Sequence, residues 1–271
     1  MTIITLTTDF GLAEGYVGIM KGVILGIAPA ARLIDLSHDI LPQDVRGAAY
    51  VLARAAPYFP DGTVHLVVVD PGVGGERRPI LVQTERALYV GPDNGVFTHA
   101  LGESGARAWV LDRPAFWLSE PSRTFHGRDI FAPIAAHLAQ GVLPDQVGRP
   151  ISDPVRLSLP QPFRHADGHI SGQVVHVDRF GNLITDIPAA WIEPGRWICK
   201  VADQQIAGVC ATYADGAPGA LIALISSGNT LEVAVRDGNA RQRLDVKAGE
   251  PVTLWPEGCW GEVQEATDSN G

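Results

Sequence analysis

Residues 67–80 read VVVDPGVGGERRPI, and the organisation of the first half of the chain turns on how this stretch is read. A β-branched run suited to a buried strand stops at Asp70, and a proline, three glycines and the pair Arg77 and Arg78 follow. Two readings fit these residues. One is a turn with a solvated charge cluster; the other is a reaction centre at the carboxyl end of a sheet strand.

Upstream, residues 2–8 alternate and β-branch as a strand and end on Thr8-Asp9-Phe10-Gly11. A helix is predicted over 14–27, with Val17, Met20, Ile24 and Ile27 on one stripe. Gly18, Gly22 and Gly26 recur four apart on another side, a row that predicts close backbone approach to a neighbour. A short strand at 32–36 follows. Val45, Ala48, Ala49, Leu52 and Ala56 then mark a second helix ended by Pro57, and the next strand is 63–69. Strand–helix–strand–helix–strand predicts parallel pairing with helices packed on the sheet. Downstream, 80–84 and 87–90 read as a hairpin added to that sheet. A last helix near 129–140 carries Ile130, Ile134 and Leu138 on one face, and Pro133 predicts a kink or a late start.

From 142 to 168 the chain turns proline-rich and loses periodicity, as an extended linker does. Beyond it, 169–178, 183–187, 196–201, 220–226, 230–236 and 251–255 are short β-like runs punctuated by glycine. The predicted organisation is an α/β domain over 1–150 with a central, mostly parallel sheet flanked by helices. A linker over 151–168 and a smaller all-β, barrel-like domain over 169–265 complete it.

Composition narrows the function. The 271 residues carry 21 Lys+Arg against 30 Asp+Glu, a net charge of -9, without any basic run, so nucleic acid is not an expected partner. The N-terminus MTIITLTTDF has neither a basic nor an apolar signal region. The longest apolar stretch is broken by Lys21 and is too short to span a bilayer, so no membrane partner is expected. Cys199, Cys210 and Cys259 lack any CxxC pairing and read as inert thiols of a cytoplasmic protein.

Open α/β sheets bind ligands beyond the carboxyl ends of their strands, where Asp9 and Asp70 both fall. In Thr124-Phe-His-Gly-Arg-Asp129, His126 precedes the last helix. With a carboxylate and an arginine, an imidazole there could hold and deprotonate a water. Asp178-Arg-Phe-Gly-Asn182 reads either as a hairpin turn or as a recognition loop. In the second reading Asp178 takes an ammonium, Phe180 stacks on a ring and Asn182 offers its amide to a base edge. Asp35, His38 and Asp39 lack regular spacing to further ligands, and no metal site is assigned.

Taken together, TDFG, PQDVRGAAYVLARAAPYFPDGTVHLVVVDPGVGGERR, GPDNG at 91–95, TFHGRD and DRFGNLITDI resemble the S-adenosyl-L-methionine hydroxide adenosyltransferases. These are relatives of the fluorinase and the chlorinase, and the match runs in order across residues 1–260. The resemblance implies hydrolysis of S-adenosyl-L-methionine to adenosine and L-methionine, with no metal and no cofactor. The family's water-activating Asp–Arg–His trio falls on Asp70, Arg77 and His126, with Arg78 the rival one residue along. The halide-using relatives carry tyrosine where Asp70 stands, whereas Gly127, at the fluorinase's serine, does not discriminate. Asp9 resembles the ribose-diol carboxylate; Asp178, Phe180 and Asn182 the ammonium, adenine-stacking and adenine-edge groups; Tyr213 a second aromatic beside adenine. Ser227 is similar to the carboxylate-binding serine, although Ser226-Ser227-Gly228-Asn229 departs from the family's Asn-Ser pattern, and Gln43 replaces a fluorinase tryptophan. The family implies an α/β domain followed by a β-barrel. It also implies homotrimers whose active sites lie where one subunit's first domain meets a neighbour's second. The alternatives are a chlorinase using the same substrate and a non-catalytic protein that binds an adenosyl ligand.

Overall fold

The computed structural model describes residues 2–159, 161–193 and 195–257. Cys259 and the predicted end of the second domain at 265 lie outside these residues. The chain divides into two compact units, Met1–Ser158 and the part from Leu159 onwards.

The first unit contains strands β1 (Ile3–Thr8), β2 (Arg32–Ser37), β3 (Thr63–Val68), β4 (Pro79–Gln83), β5 (Ala87–Pro92), β6 (Arg107–Val110) and β7 (Arg149–Ile151). They form one sheet in the order β2-β1-β3-β5-β4-β6-β7. The pairs β2–β1, β1–β3 and β3–β5 are parallel, and β4, β6 and β7 extend the sheet antiparallel. Helices α1 (Tyr16–Ile27), α2 (Val45–Ala55), α3 (Thr98–Leu101) and α4 (Ala132–Ala139) flank it.

Every residue of β3 is buried because both sheet faces are covered. Val64, Leu66 and Val68 pack with Ile4, Leu6 and residues of α1 and α4. Val67 and Val69 face the other way, toward Ala48, Ala49 and Leu52 of α2. Asp44 caps α2 by accepting the Gly47 N–H at 2.8 Å. A Cβ at Gly47 would stand 2.2 Å from the Asp44 carboxylate, so a larger residue there would make the capping side chain shift.

Three sequence expectations take a definite form here. Pro133 falls in the first turn of α4, which is entered through a π-helical turn, Gly127–Phe131. Proline has no N–H for the Asp129 carbonyl, and that carbonyl accepts the Leu118 N–H at 2.9 Å instead. The glycine row of α1 meets no neighbour among the described residues: an added Cβ at Gly18, Gly22 or Gly26 would have nothing within 4 Å, and all three are exposed. Among the described residues α1 packs instead through Val17, Met20 and Ile24 on another face. The proline-rich segment, finally, is tied down over its first half. Val155 N–H donates to Asp93, Leu157 N–H to Thr98 and Arg46 to the Ser158 carbonyl.

The second unit holds β8 (Phe163–Arg164), β9 (Ile170–Val177), β10 (Leu183–Pro188), β11 (Trp197–Val201), β12 (Gln204–Ala207), β13 (Leu221–Ile225), β14 (Thr230–Val235) and β15 (Pro251–Pro256). Their order is β12-β11-β15-β9-β10-β14-β13, with β8 on β9. The two ends, β12 and β13, lie against each other, and a bridge between Cys210 and Leu224 carries the contact on. The sheet is thus a nearly closed barrel around Ile170, Val174, Leu183, Val201, Val233 and Leu254.

Candidate active site

Asp70 leaves the carboxyl end of β3, and the loop after it doubles back. Gly74 has φ +75°, and a Cβ there would stand 2.3 Å from the Arg123 carbonyl. At Gly72 a Cβ would come 3.0 Å from Arg77 Cγ, so the missing side chain makes room for the arginine. Arg77 folds onto the strand end: Nε donates to Asp70 Oδ1 at 2.9 Å and Oδ2 at 3.0 Å, and Nη2 donates to Oδ2. Its Nη2 also donates to His126 Nδ1 at 2.7 Å. Carboxylate, guanidinium and imidazole therefore converge in one cluster, with Asp70 5% and Arg77 10% exposed. Arg78 turns elsewhere, pairing with Asp93 and Asp153.

The tautomer of His126 follows from this contact. Arginine has no acceptor, so Nδ1 must carry the lone pair and the ring proton sits on Nε2. Burial pushes the imidazole below its usual pKa, the neighbouring Arg77 charge pushes the same way, and Asp70 and Asp129 oppose both. His126 is a neutral hydrogen-bond donor at neutral pH.

Asp70 and His126 line a crevice of about 500 Å³ shared with Asp9, Gln43, Val73 and Gly127. Asp9 leaves the end of β1, the parallel neighbour of β3, and Gln43 N–H donates to its Oδ2 at 2.8 Å. Gln43 takes φ +67° to do so. Gly127 is packed closely; a Cβ would come 3.3 Å from Met20 Sδ, Phe125 Cε2 and Val68 Cγ1. Phe10, Tyr16 and Phe125 form a wall of mutually edge-on rings with centroids 5.3–5.9 Å apart. Sequence reasoning missed this wall. Its only signal was that Phe10 and Phe125 adjoin Asp9 and His126.

In the second unit, Asp178, Phe180, Asn182 and Tyr213 line a groove of about 800 Å³ with Arg236 and Asp237. Asp178 Oδ1 accepts the Phe180 and Asn182 N–H groups at 2.9 Å each, and Oδ2 accepts the Asn182 side-chain amide at 3.0 Å. The turn geometry and a ligand-facing loop are thus both present. The carboxylate staples a tight turn that holds Phe180 outward, 75% exposed. Tyr213 is held by donating to buried Glu232 at 2.6 Å, a partner the sequence did not reveal. Burial raises both groups above their usual pKa. Ser227 is not brought into this groove. Its turn lies beside Pro188, at the far end of β10 from Asn182.

Among the described residues no cluster of His, Cys, Asp and Glu could hold a metal ion, and no helix is long and apolar enough to cross a membrane. Cys199 is buried, its thiol pushed up to about 12, and Cys210 is half-buried.

Comparison with known proteins bears on the whole chain. Residues 4–148 match the SAM hydroxide adenosyltransferase N-terminal domain and residues 172–253 the C-terminal domain. The chain is 41% identical over 263 residues to a protein of Thermus thermophilus named (R)-S-adenosyl-L-methionine hydrolase, covering 91% of this chain and 97% of that one. It is 42% identical over 256 residues to one of the same name from Salinispora tropica, covering 93% and 97%. A fluorinase of Nocardia brasiliensis is more distant, 27% identical over 288 residues, covering 93% and 96%. A crystal structure of an uncharacterized conserved protein from Thermotoga maritima superposes with a TM-score of 0.86 at 37% identity, covering 93% of this chain and all of that one.

Proposed function

The chain belongs to the S-adenosyl-L-methionine hydroxide adenosyltransferase family, and from that premise we propose that it hydrolyses S-adenosyl-L-methionine to adenosine and L-methionine. Asp70 and His126 on one crevice, joined behind it by Arg77, carry the reading.

The substrate's sulfonium leaves as a neutral thioether, so the leaving side needs no acid. The difficulty is the nucleophile, since hydroxide is scarce at neutral pH. A water placed in line with the C5′–S bond gains up to about 7–11 kcal/mol from positioning, and a placed base contributes about 10²–10⁴-fold. Asp70 takes the water's proton. His126, protonated on Nε2, donates and aims the oxygen lone pair at C5′, and Arg77 steadies the developing hydroxide while orienting the carboxylate. Asp9 holds the ribose diol, because its carboxylate keeps lone pairs free beyond the one used by Gln43.

Phe180 and Tyr213 stack beside the adenine, Asn182 meets its edge and Asp178 takes the methionine ammonium. The two sets of groups sit on separate units, which supports a homotrimer in which one subunit's first unit meets a neighbour's second. The exposed face of α1 supports the same assembly: Gly18, Gly22 and Gly26 lie beside Ile19 and Leu25, 44% and 43% exposed, ready for close backbone approach by another subunit. Light scattering that returned a monomer would reject the trimer.

The test of the reaction uses purified protein and substrate in heavy-oxygen water. Equimolar adenosine and methionine with the label in the 5′-hydroxyl is the expected result. Unlabelled adenosine, or no turnover, would reject the reading. In chloride, 5′-chloro-5′-deoxyadenosine should not form, because a carboxylate at Asp70 repels the halide.

A further inference from the structure

Gly91-Pro-Asp-Asn-Gly95 enters no step of the reaction above, yet the fold sets it directly against the loop that carries Asp70 and Arg77. In the sheet β5 lies between β3, its parallel neighbour, and β4, its antiparallel one. The segment 69–78 therefore leaves β3, arches over the exit of β5 and enters β4 on the other side. The exit of β5 is the 91–95 turn, and consecutive residues of that turn grip the two feet of the arch. Asn94 Nδ2 donates to the Val69 carbonyl at 2.9 Å, in the peptide group that joins Val69 to Asp70. Asp93 holds Arg78, the residue after Arg77, in two ways. Its N–H donates to the Arg78 carbonyl at 2.9 Å, and its Oδ2 accepts Arg78 Nε at 2.8 Å. We propose that Asp93 and Asn94 are positioning residues for the hydrolysis, fixing both ends of the loop so that Asp70 and Arg77 meet in one geometry. The assignment rests on the hydrolase reading given above.

The sheet ladder does not supply this constraint. The β3–β5 register ends at the pair Leu66 and Val90, so Val69 lies beyond it. The loop does not supply it either, because Gly72, Gly74 and Gly75 leave its backbone with more freedom than any other residues would. The turn is itself well fixed. Asp93 is buried, and its other oxygen accepts the Val155 N–H at 2.7 Å, while Asn94 Oδ1 accepts the Val96 N–H at 3.2 Å. Gly91 lets the turn come this near: a Cβ there would stand 2.4 Å from the Val67 carbonyl and 2.9 Å from the Phe97 ring. Asn94 and the Asp93 N–H bear on main-chain groups next to the reacting residues, so they set where the Cα atoms of Asp70 and Arg77 stand. A displacement of about 1 Å in such groups costs up to about 10²-fold in rate.

Asn94→Ala should lower kcat for adenosine release about tenfold or more while KM stays within about twofold, because the grip serves the nucleophile and not the substrate contacts. A merely structural role would not give the next signature. In the Asp70→Asn background, adding Asn94→Ala should cost less than about twofold in kcat, since the geometry it sets has no base left to serve. Asp93→Asn is the second variant and should behave as Asn94→Ala does, its one amide oxygen meeting Arg78 or Val155 but not both. Exchange of the Arg77 Nε–H with deuterated solvent, read from nitrogen-15 spectra, should quicken in either variant about tenfold or more relative to the Leu66 amide of β3. A wild-type protein that releases no adenosine fails the hydrolase reading, and the exchange result then decides the positioning alone. The proposal is overturned by kcat within about twofold of wild type in both folded variants, by losses that add in full in the double variant, or by Arg77 exchange that only keeps pace with Leu66.

Discussion

Replacing Asp70 by asparagine keeps the shape of the side chain and removes its charge and one acceptor. In the wild-type chain Arg77 places Nε against both carboxylate oxygens, at 2.9 and 3.0 Å, and Nη2 against Oδ2. An amide can answer with one oxygen; its NH₂ then faces guanidinium donors. Both side chains are at least nine-tenths buried, and removing one partner of such a pair costs about 3–5 kcal/mol of stability. Part is offset here. Arg77 keeps the Phe131 ring, 5.2 Å from its Cζ, where cation–π attraction supplies about 0.5–2 kcal/mol, and it keeps His126 Nδ1. The net expectation is about 2–3 kcal/mol, read from urea unfolding. Loss of the proton acceptor should lower kcat about 10²–10⁴-fold, or about 3–5 kcal/mol in the barrier. KM should move little, because the ribose and methionine contacts lie elsewhere. Adenosine release is followed by chromatography on protein shown to be folded. A folded Asp70→Asn enzyme with kcat within about threefold of wild type would refute the assignment of Asp70 as the base.

Acidification should act through His126. Its pKa is lowered in the fold, so the unfolded chain binds more protons as pH falls below 6.5, and stability is lost from there down toward the folded value. Protonation also sets two donors, Arg77 Nη2 and Nδ1–H, against each other, so the acid limb of the kcat–pH profile should have its midpoint below 6.5. A midpoint above 6.5 contradicts this. Gly74→Ala should destabilise by about 1–3 kcal/mol, since it combines positive φ with a Cβ 2.3 Å from the Arg123 carbonyl, and should lower turnover by loosening Arg77. Unfolding and activity curves that both overlay wild type would count against the hinge. Phe180→Ala should raise KM about tenfold with kcat nearly unchanged, as loss of one stacking surface does; an unaltered KM in steady-state kinetics excludes the stacking role.

The parts legible in the sequence were those whose cause is local. β3 is visible because a strand covered on both faces must be apolar throughout, and α2 because its stripe and its terminating Pro57 lie within one segment. β6 and β7 escaped notice. The first has only four residues, beginning with Arg107, and the second is an edge strand of three built around Pro150, where the missing N–H is harmless. The α1 glycines declare closeness but not to what, and a Cβ at any of them would meet nothing within 4 Å among the described residues. At the site, Asp70, Arg77 and His126 stood out as residues, yet the choice between Arg77 and Arg78 did not. Adjacent side chains leave an extended backbone on opposite sides, and only the fold assigns Arg78 to Asp93 and Asp153. Glu232 was invisible for a related reason. A carboxylate on a strand usually faces water, and here Tyr213 arrives from 19 residues away to bond it.

The cluster's construction explains why it takes a glycine loop and a π turn rather than two regular elements. A neutral imidazole that must accept from arginine has to present Nδ1, the nitrogen nearer its own backbone, so His126 must come close to the guanidinium with its main chain. The π turn beginning at Gly127 allows this. A Cβ at that position would press on Met20, Phe125 and Val68 and hold the segment off the strand end. Arg77 must meanwhile reach back seven residues to Asp70, which Gly72 permits by leaving its Cβ space empty and Gly74 by turning through positive φ. Each constraint fixes one donor or acceptor direction. Once Nδ1 and the guanidinium are spent on each other, Nε2–H and the carboxylate remain, a donor and an acceptor, which is the pair one attacking water requires.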